Sequence, residues 1–194
     1  MIWNRVKPII ALEATEVRRV SDETLVERIA NGEVRAFEEL IQRYQTPALR
    51  FAFRLVGDLH EAEDLAQEAF LRVYRNAQRY NYAARFRTWF FQILVNLCRD
   101  WLKKKKPLFF GEPPQVAAGA PDPSQAMERE WRAKAVERAV QSLPPQQRMA
   151  LVLCHFEEMS YREAAAVLAT SEKAVESLLV RARRTLRVRL LEFR

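Results

Sequence analysis

The sequence is poor in glycine, cysteine and histidine, and each scarcity excludes a kind of chemistry. Only 4 glycines, 2 cysteines and 2 histidines occur among 194 residues. Cys98 and Cys154 are far apart, and no cysteine–histidine spacing predicts a zinc site. The sequence has no glycine-rich phosphate loop, and no apolar run approaches the 18 residues that predict a membrane span. These absences argue against a zinc protein, a P-loop enzyme and an integral membrane protein.

The sequence is nevertheless rich enough in apolar residues, at 49%, to build real cores. It lacks alternating β-branched segments, so the chain is predicted to be all-α. Both cysteines are expected to be reduced core thiols, which places the protein in the cytoplasm. No cofactor, metal or small-molecule substrate is expected.

Composition divides the chain into two helical domains. Residues 1–20 are expected to be an N-terminal tail, and residues 21–106 and 128–194 to be the domains. Between them, residues 107–127 hold five of the nine prolines and two of the four glycines, which predicts a flexible Pro-rich linker.

Apolar spacing and helix-capping residues predict the helices. Ser21 starts the first helical stretch, which is expected to break near Asn31-Gly32, Pro47 and Gly57-Asp58. A second helix is expected from about Leu59 to Asn76 and a third from about Phe86 to Lys105. Helices resume near Glu128, and Leu143-Pro144-Pro145 separates two of them.

Charge is distributed unevenly along the chain, whose net charge is +7. Residues 21–76 carry 7 basic and 11 acidic side chains, whereas residues 77–106 carry 8 basic and 1 acidic. Residues 173–194 carry 7 basic and 2 acidic. Two separate basic segments indicate two nucleic-acid contacts, and the acidic block indicates a protein contact.

The predicted helix from Leu59 has a core face and an opposite face with an exposed leucine among polar groups. That second face is either a solvated surface or a protein docking surface. Its members are Asp64, Gln67, Glu68, Leu71 and Arg75.

The predicted helix from Phe86 carries a polar and basic stripe opposite its apolar face. The apolar face is predicted to consist of Phe86, Phe90, Ile93, Leu94, Leu97 and Trp101. The polar and basic side chains of the stripe can contact phosphates and base edges. With the arginines that precede and begin the helix, the candidates are Arg85, Arg87, Thr88, Gln92, Asn96, Arg99 and Lys103. Trp89 lies between the two faces and is interpreted as a packing residue, with base stacking as the alternative.

Residues 160–186 predict a helix-turn-helix. Ser160 and Glu163 form a capping box at the start of a short helix, and Thr170 or Ser171 starts a longer basic one. A basic amphipathic helix could also bind an acidic protein or a membrane, but the short capped helix before it favours DNA. The outward residues proposed to contact DNA are Lys173, Glu176, Ser177, Val180, Arg181 and Arg184.

In this order, these segments resemble the bacterial RNA polymerase sigma factors of the extracytoplasmic-function (ECF) class. The resemblance is carried by residues 64–70 (DLAQEAF), 86–90 (FRTWF), Asn96, Leu143-Pro144 and residues 160–165 (SYREAA). The resemblance implies that the Asp64–Arg75 face docks on the clamp helices of the polymerase β′ subunit. It also implies that the helix from Phe86 and the preceding loop recognise the promoter −10 element.

The same resemblance implies that the C-terminal helix-turn-helix reads the −35 element and meets the polymerase β flap. A membrane-associated anti-sigma factor is then the expected regulator. Two departures stand out: Glu176 occupies a position where relatives often have lysine, and Ala169 stands where the turn usually has glycine. A stand-alone helix-turn-helix regulator is the alternative function, and a DNA-modifying enzyme would need clustered acids near the DNA face.

Overall fold

The computed structural model describes residues 20–104 and 135–191. Within these ranges every element is helical, as predicted. The first unit contains α1 (Asp22–Ala30), α2 (Val34–Val56), α3 (Leu59–Asn76), a 3-10 turn (Ala77–Arg79) and α4 (Phe86–Lys104). The second contains α5 (135–141), α6 (Pro145–Leu151), a π-helical turn (Val152–Phe156), α7 (Tyr161–Leu168) and α8 (Glu172–Leu191). The predicted tail, most of the linker and the start near Glu128 lie outside the described residues.

Short polar side chains and glycine fix the predicted helix boundaries. Ser21 Oγ accepts a hydrogen bond from the Thr24 amide at 3.1 Å, and Asp58 Oδ1 accepts one from the Glu61 amide at 3.0 Å. Gly57 ends α2 with φ of 78°, a left-handed conformation that suits glycine at a helix C-terminus. The expected bounds of α3 therefore match the structure.

The expected break at Pro47 is wrong, because Pro47 lies inside the continuous helix α2. A proline inside a helix removes one backbone hydrogen bond. Here the residues on both sides of it pack in the core, where Tyr44, Ala48 and Phe51 are all buried. Their burial outweighs the lost hydrogen bond, so packing and not local propensity determines the helix.

The core of the first unit is aromatic and centres on α4. Phe86, Phe90 and Phe91 are fully buried. Phe51 from α2 contacts Phe91 with ring centroids 5.1 Å apart, and Phe70 from α3 contacts Phe90 at the same distance. Edge-to-face and tilted pairs of this kind add to the free energy of area burial. The α4 helix is therefore held rigidly against α2 and α3.

Polar side chains tie α4 to the other helices at both ends. Glu23 of α1 accepts a hydrogen bond from the Phe86 amide at 2.9 Å, which caps the α4 N-terminus from another helix. Near the other end, the Trp101 indole donates to Glu61 of α3 at 2.6 Å. The position of the candidate −10 helix is thus fixed by contacts far apart in sequence.

Candidate nucleic-acid and protein interfaces

The predicted protein-docking face lies on the exposed side of α3. Asp64, Gln67, Leu71 and Arg75 are exposed and Glu68 is partly so. Glu68 accepts a hydrogen bond from Arg72 at 2.8 Å. Leu71 is 44% exposed, which is high for a leucine beside a packed core.

This face extends onto α2, which sequence reasoning missed. Gln67 and Leu71 line a groove of about 470 Å³ whose opposite wall includes Phe37, Ile41 and Leu49 of α2. The rings of Phe37 and Tyr74 pack 5.0 Å apart at its rim, and Val34 and Tyr74 are exposed nearby. We call this surface the α2–α3 groove. An apolar groove bordered by polar groups is typical of a protein-binding site.

The loop before α4 contains a cluster of aromatic side chains. Tyr82 is 54% exposed, and its ring centroid lies 4.9 Å from that of Tyr80. Tyr80 in turn packs 5.0 Å from Trp89 and donates a hydrogen bond to the Ala84 carbonyl. Burial raises the pKa of Tyr80 to about 12, so it stays a neutral donor at physiological pH.

The location of Trp89 agrees with the packing interpretation, since its ring contacts Tyr80 and Phe86. Tyr82 is the more exposed aromatic side chain of this loop. It is a residue that sequence reasoning left unassigned.

The structure places the candidate −10 residues in two groups. Arg85 and Arg87, at the start of α4, point toward the second helical unit and interact with its acidic side chains. Farther along, Arg99 and Lys103 line a cleft of about 480 Å³ together with Arg181 of α8. Asn96 is exposed, while Thr88 and Gln92 are partly buried. The predicted stripe therefore exists, but the second unit covers part of it.

The C-terminal unit has the geometry of a helix-turn-helix. Ser160 and Glu163 form the predicted capping box at the start of α7. Ala169 ends that helix with φ of 53° and ψ of 52°, the left-handed conformation that glycine usually supplies. Ser171, and not Thr170, accepts the hydrogen bond that caps α8, from the Ala174 amide at 3.2 Å.

The outward face of α8 presents all six predicted DNA-contact residues to solvent. Lys173, Glu176, Ser177, Val180, Arg181 and Arg184 are exposed. The opposite face is anchored by the buried Val175, Leu179 and Ala182. Ser177 donates to the Lys173 carbonyl at 2.9 Å within the helix, which leaves the cationic side chains as the main contacts for a polyanion.

The chemistry of these surfaces is that of binding. Among residues 20–104 and 135–191, no group of three or more histidine, cysteine or acidic side chains could hold a metal ion. No helix within those ranges is long and apolar enough to cross a membrane. An exposed basic recognition helix joined to a unit with an apolar groove defines a helical DNA-binding protein that also contacts another protein.

Comparison with known proteins identifies both units. The Sigma-70 region 2 family matches residues 40–107, and the Sigma-70, region 4 family matches residues 133–186. The RNA polymerase sigma-H factor of Pseudomonas aeruginosa is 34% identical over 173 residues, covering 84% of this chain and 90% of the relative. The ECF RNA polymerase sigma-E factor of Escherichia coli K12 is 31% identical over 178 residues, covering 85% and 92%.

A solved structure supports the same assignment. CnrH, in complex with the cytosolic domain of CnrY, superposes with a TM-score of 0.68 at 28% identity, covering 88% of this chain and 97% of CnrH. The chain therefore belongs to the RNA polymerase sigma factors of the ECF class. It binds core RNA polymerase and promoter DNA and directs the initiation of transcription. The match to region 2 favours this function over a stand-alone helix-turn-helix regulator, which accounts for the C-terminal unit alone.

Proposed function

We propose that the α2–α3 groove is the surface that docks on the clamp helices of the polymerase β′ subunit. Asp64, Gln67, Glu68, Leu71 and Arg75 contribute its α3 side. Phe37 and Tyr74 extend it, since they form one apolar surface with Leu71. The observation that carries the proposal is Leu71, which is 44% exposed at the edge of this groove. A partner helix would bury it and recover the hydrophobic free energy.

The two DNA contacts are assigned to α4 and α8. Arg85, Arg87, Thr88, Gln92, Asn96, Arg99 and Lys103 are proposed to contact the −10 element. Lys173, Glu176, Ser177, Val180, Arg181 and Arg184 are proposed to read the −35 element. The exposure of all six α8 side chains supports the second assignment. In that face Glu176 can accept a hydrogen bond from cytosine N4 but cannot contact phosphate favourably.

The remaining assignments follow from membership of the class. We propose that the chain is not an enzyme, because the polymerase carries the reaction, and that it acts in the cytoplasm. Region 2 is assigned to residues 21–106, the linker to 107–127 and region 4 to 128–194, with region 4 also meeting the β flap. CnrH binds the cytosolic domain of CnrY. By that precedent, an anti-sigma factor that is membrane-associated is proposed to regulate this chain.

Replacing Leu71 with aspartate tests the docking surface. Docking would bury the exposed half of the side chain, worth about 1 kcal/mol. An unpaired carboxylate in the interface would add a desolvation cost of at least about 2 kcal/mol. We therefore expect Leu71→Asp to weaken binding to sigma-free core polymerase on the order of 100-fold. Fluorescence anisotropy of the labelled chain titrated with core measures this.

Leu71→Met is the matched control, because it keeps an apolar side chain of similar volume and should bind core almost as the wild type does. Binding of both variants to duplex DNA should be unchanged, since Leu71 lies on α3 and the proposed −35 contacts lie on α8. Equal core affinity for Leu71→Asp and Leu71→Met would show that the docking surface lies elsewhere.

A further inference from the structure

The N-terminus of α4 is capped by a side chain of another helix. The Arg85 carbonyl accepts a hydrogen bond from the Trp89 amide at 3.2 Å, so Arg85 occupies the cap position of α4. An arginine side chain only donates hydrogen bonds and cannot satisfy the free amides of a first helical turn. The Phe86 amide instead donates to the Glu23 carboxylate of α1 at 2.9 Å. Glu23 therefore holds the junction between α4 and the loop that precedes it, residues 80–85.

This loop is ordered by hydrogen bonds of its own. The Asn81 side chain accepts one from the Ala83 amide at 3.0 Å, and the Asn81 carbonyl accepts one from the Ala84 amide at 3.1 Å. Tyr80 donates to the Ala84 carbonyl. Burial raises the pKa of Tyr80 to about 12, and the Glu23 carboxylate adds to that rise. Glu23 thus interacts with the first residue of the loop as well as with the start of α4.

The backbone that carries Glu23 is itself fixed on α2. Asp22 precedes Glu23 in the first turn of α1. Its carboxylate accepts hydrogen bonds from Arg43 and Tyr44 of α2, both at 2.6 Å. The Tyr44 ring also packs edge-to-face on Phe86, with ring centroids 5.1 Å apart. Two adjacent carboxylates of α1 therefore connect it to α2 and to the start of α4.

We propose that Glu23 is a positioning residue for promoter opening, because it fixes the loop before α4 in the geometry that receives the separated DNA strand. The proposal rests on the assignment of α4 and this loop to the −10 element. Tyr82 of the loop is 54% exposed, and its ring can stack on an unpaired base. Unstacking a base costs free energy, and a loop that is already ordered loses less entropy when it binds.

Reach and charge are two different ways in which Glu23 could act, and they are separable. If reach decides, residue 23 must place an acceptor oxygen at the Phe86 amide, whether or not that oxygen is charged. If charge decides, any carboxylate near the positive end of α4 is sufficient. Removing one methylene withdraws the acceptor by about 1.5 Å, which breaks a hydrogen bond of 2.9 Å. The proposal requires reach.

Two conservative variants therefore give opposite results. Glu23→Gln keeps the length and an acceptor oxygen but loses the charge, and it should open promoter DNA within about twofold of the wild-type rate. Glu23→Asp keeps the charge but loses the reach, and it should open promoter DNA about tenfold more slowly. Glu27→Asp is the matched control, since it makes the same change at an exposed residue of α1 and should leave the rate unchanged.

The rate is measured with holoenzyme formed from core polymerase and the full-length chain. The DNA is a promoter that this holoenzyme transcribes, with the fluorescent base 2-aminopurine in its −10 element. At saturating holoenzyme the fluorescence rise reports opening and not binding. Affinity for the closed duplex, measured at low temperature, should be the same for both Glu23 variants, whereas a general loss of structure would lower affinity and opening together.

Hydrogen exchange measures the contact itself. The Phe86 amide should exchange faster in Glu23→Asp than in the wild type, and at the wild-type rate in Glu23→Gln. Circular dichroism reports whether each variant is folded. If Glu23→Asp does not fold, the Glu23→Gln variant still decides: opening at the wild-type rate supports reach, and opening about tenfold more slowly overturns it.

Equal opening rates for folded Glu23→Gln and Glu23→Asp variants would overturn the proposal, whether both are slow or both match the wild type. A slow Glu23→Gln variant beside a wild-type rate for Glu23→Asp would show that charge acts and not reach, which also overturns it. If the wild-type holoenzyme opens no promoter, the proposed function itself fails. If the wild type opens promoters and the two Glu23 variants are alike, only the positioning role of Glu23 fails.

Discussion

Ala169 is predicted to be a strained residue at the turn of the helix-turn-helix, and replacing it with glycine should stabilise the protein. Its φ of 53° and ψ of 52° are left-handed, a conformation that costs a residue with a Cβ atom about 1–2 kcal/mol. The side chain is exposed, so little packing is lost with the methyl group. Against this gain, glycine lowers the free energy of unfolding by about 0.4–1 kcal/mol, because it increases the conformational entropy of the unfolded chain. We expect a net gain of about 0.5–1 kcal/mol in the free energy of unfolding.

The matched control is Ala166→Gly, the same chemical change three residues earlier. Ala166 is also exposed, but it lies inside α7. Glycine there should lower the free energy of unfolding by about 0.5–1 kcal/mol, because it loses more conformational freedom on helix formation. The two variants should therefore differ by about 1–2 kcal/mol with opposite signs.

Urea unfolding followed by circular dichroism measures both changes as shifts of the midpoint. Affinity for duplex DNA should stay the same in Ala169→Gly, since glycine adopts the existing turn without moving α8. If Ala169→Gly destabilises the protein as much as Ala166→Gly does, the turn is not left-handed at this residue and the described geometry of the helix-turn-helix is wrong.

Two further predictions follow from particular side chains. Arg184→Ala should weaken duplex binding and lower the slope of log affinity against log salt by about 1. Anisotropy titrations measure both quantities. Arg35→Ala, on the exposed surface of α2, is the control and should change neither. Burial raises the pKa of the Cys98 thiol strongly and that of the Cys154 thiol less. A thiol reagent at pH 8 should therefore modify Cys154 first, and Cys98 only when the protein unfolds. Equal rates of modification for the two cysteines would contradict the packing of α4.

The helices could be predicted from local signals where the ends carry a capping residue. Ser21, Asp58 and the Ser160–Glu163 box mark helix starts in the sequence and in the structure. Pro47 shows the limit of such signals, since its local preference is outweighed by core contacts of its neighbours. Contacts that join distant residues, such as Glu23 with the Phe86 amide, leave no periodic pattern.

The faces of α3 and α8 could be predicted from periodicity, because each has one buried and one exposed side. The α4 helix was harder, since Phe91 and Val95 are fully buried although they lie outside the predicted apolar face. They are buried because α4 packs against other helices on more than one side, including α7 of the second unit. The α2 side of the docking groove was missed for a related reason: Phe37 and Leu71 are brought together by helix packing and not by spacing.

The most direct test of promoter-specific initiation by this chain is transcription reconstituted from sigma-free core polymerase and the purified chain. The template is fragmented genomic DNA of the source organism, and the 5′ ends of the transcripts are sequenced. We expect transcripts that begin at a small set of discrete sites, which share sequence about 10 and 35 base pairs upstream. Transcripts identical to those of core polymerase alone would contradict the assignment of this chain as a promoter-specificity subunit.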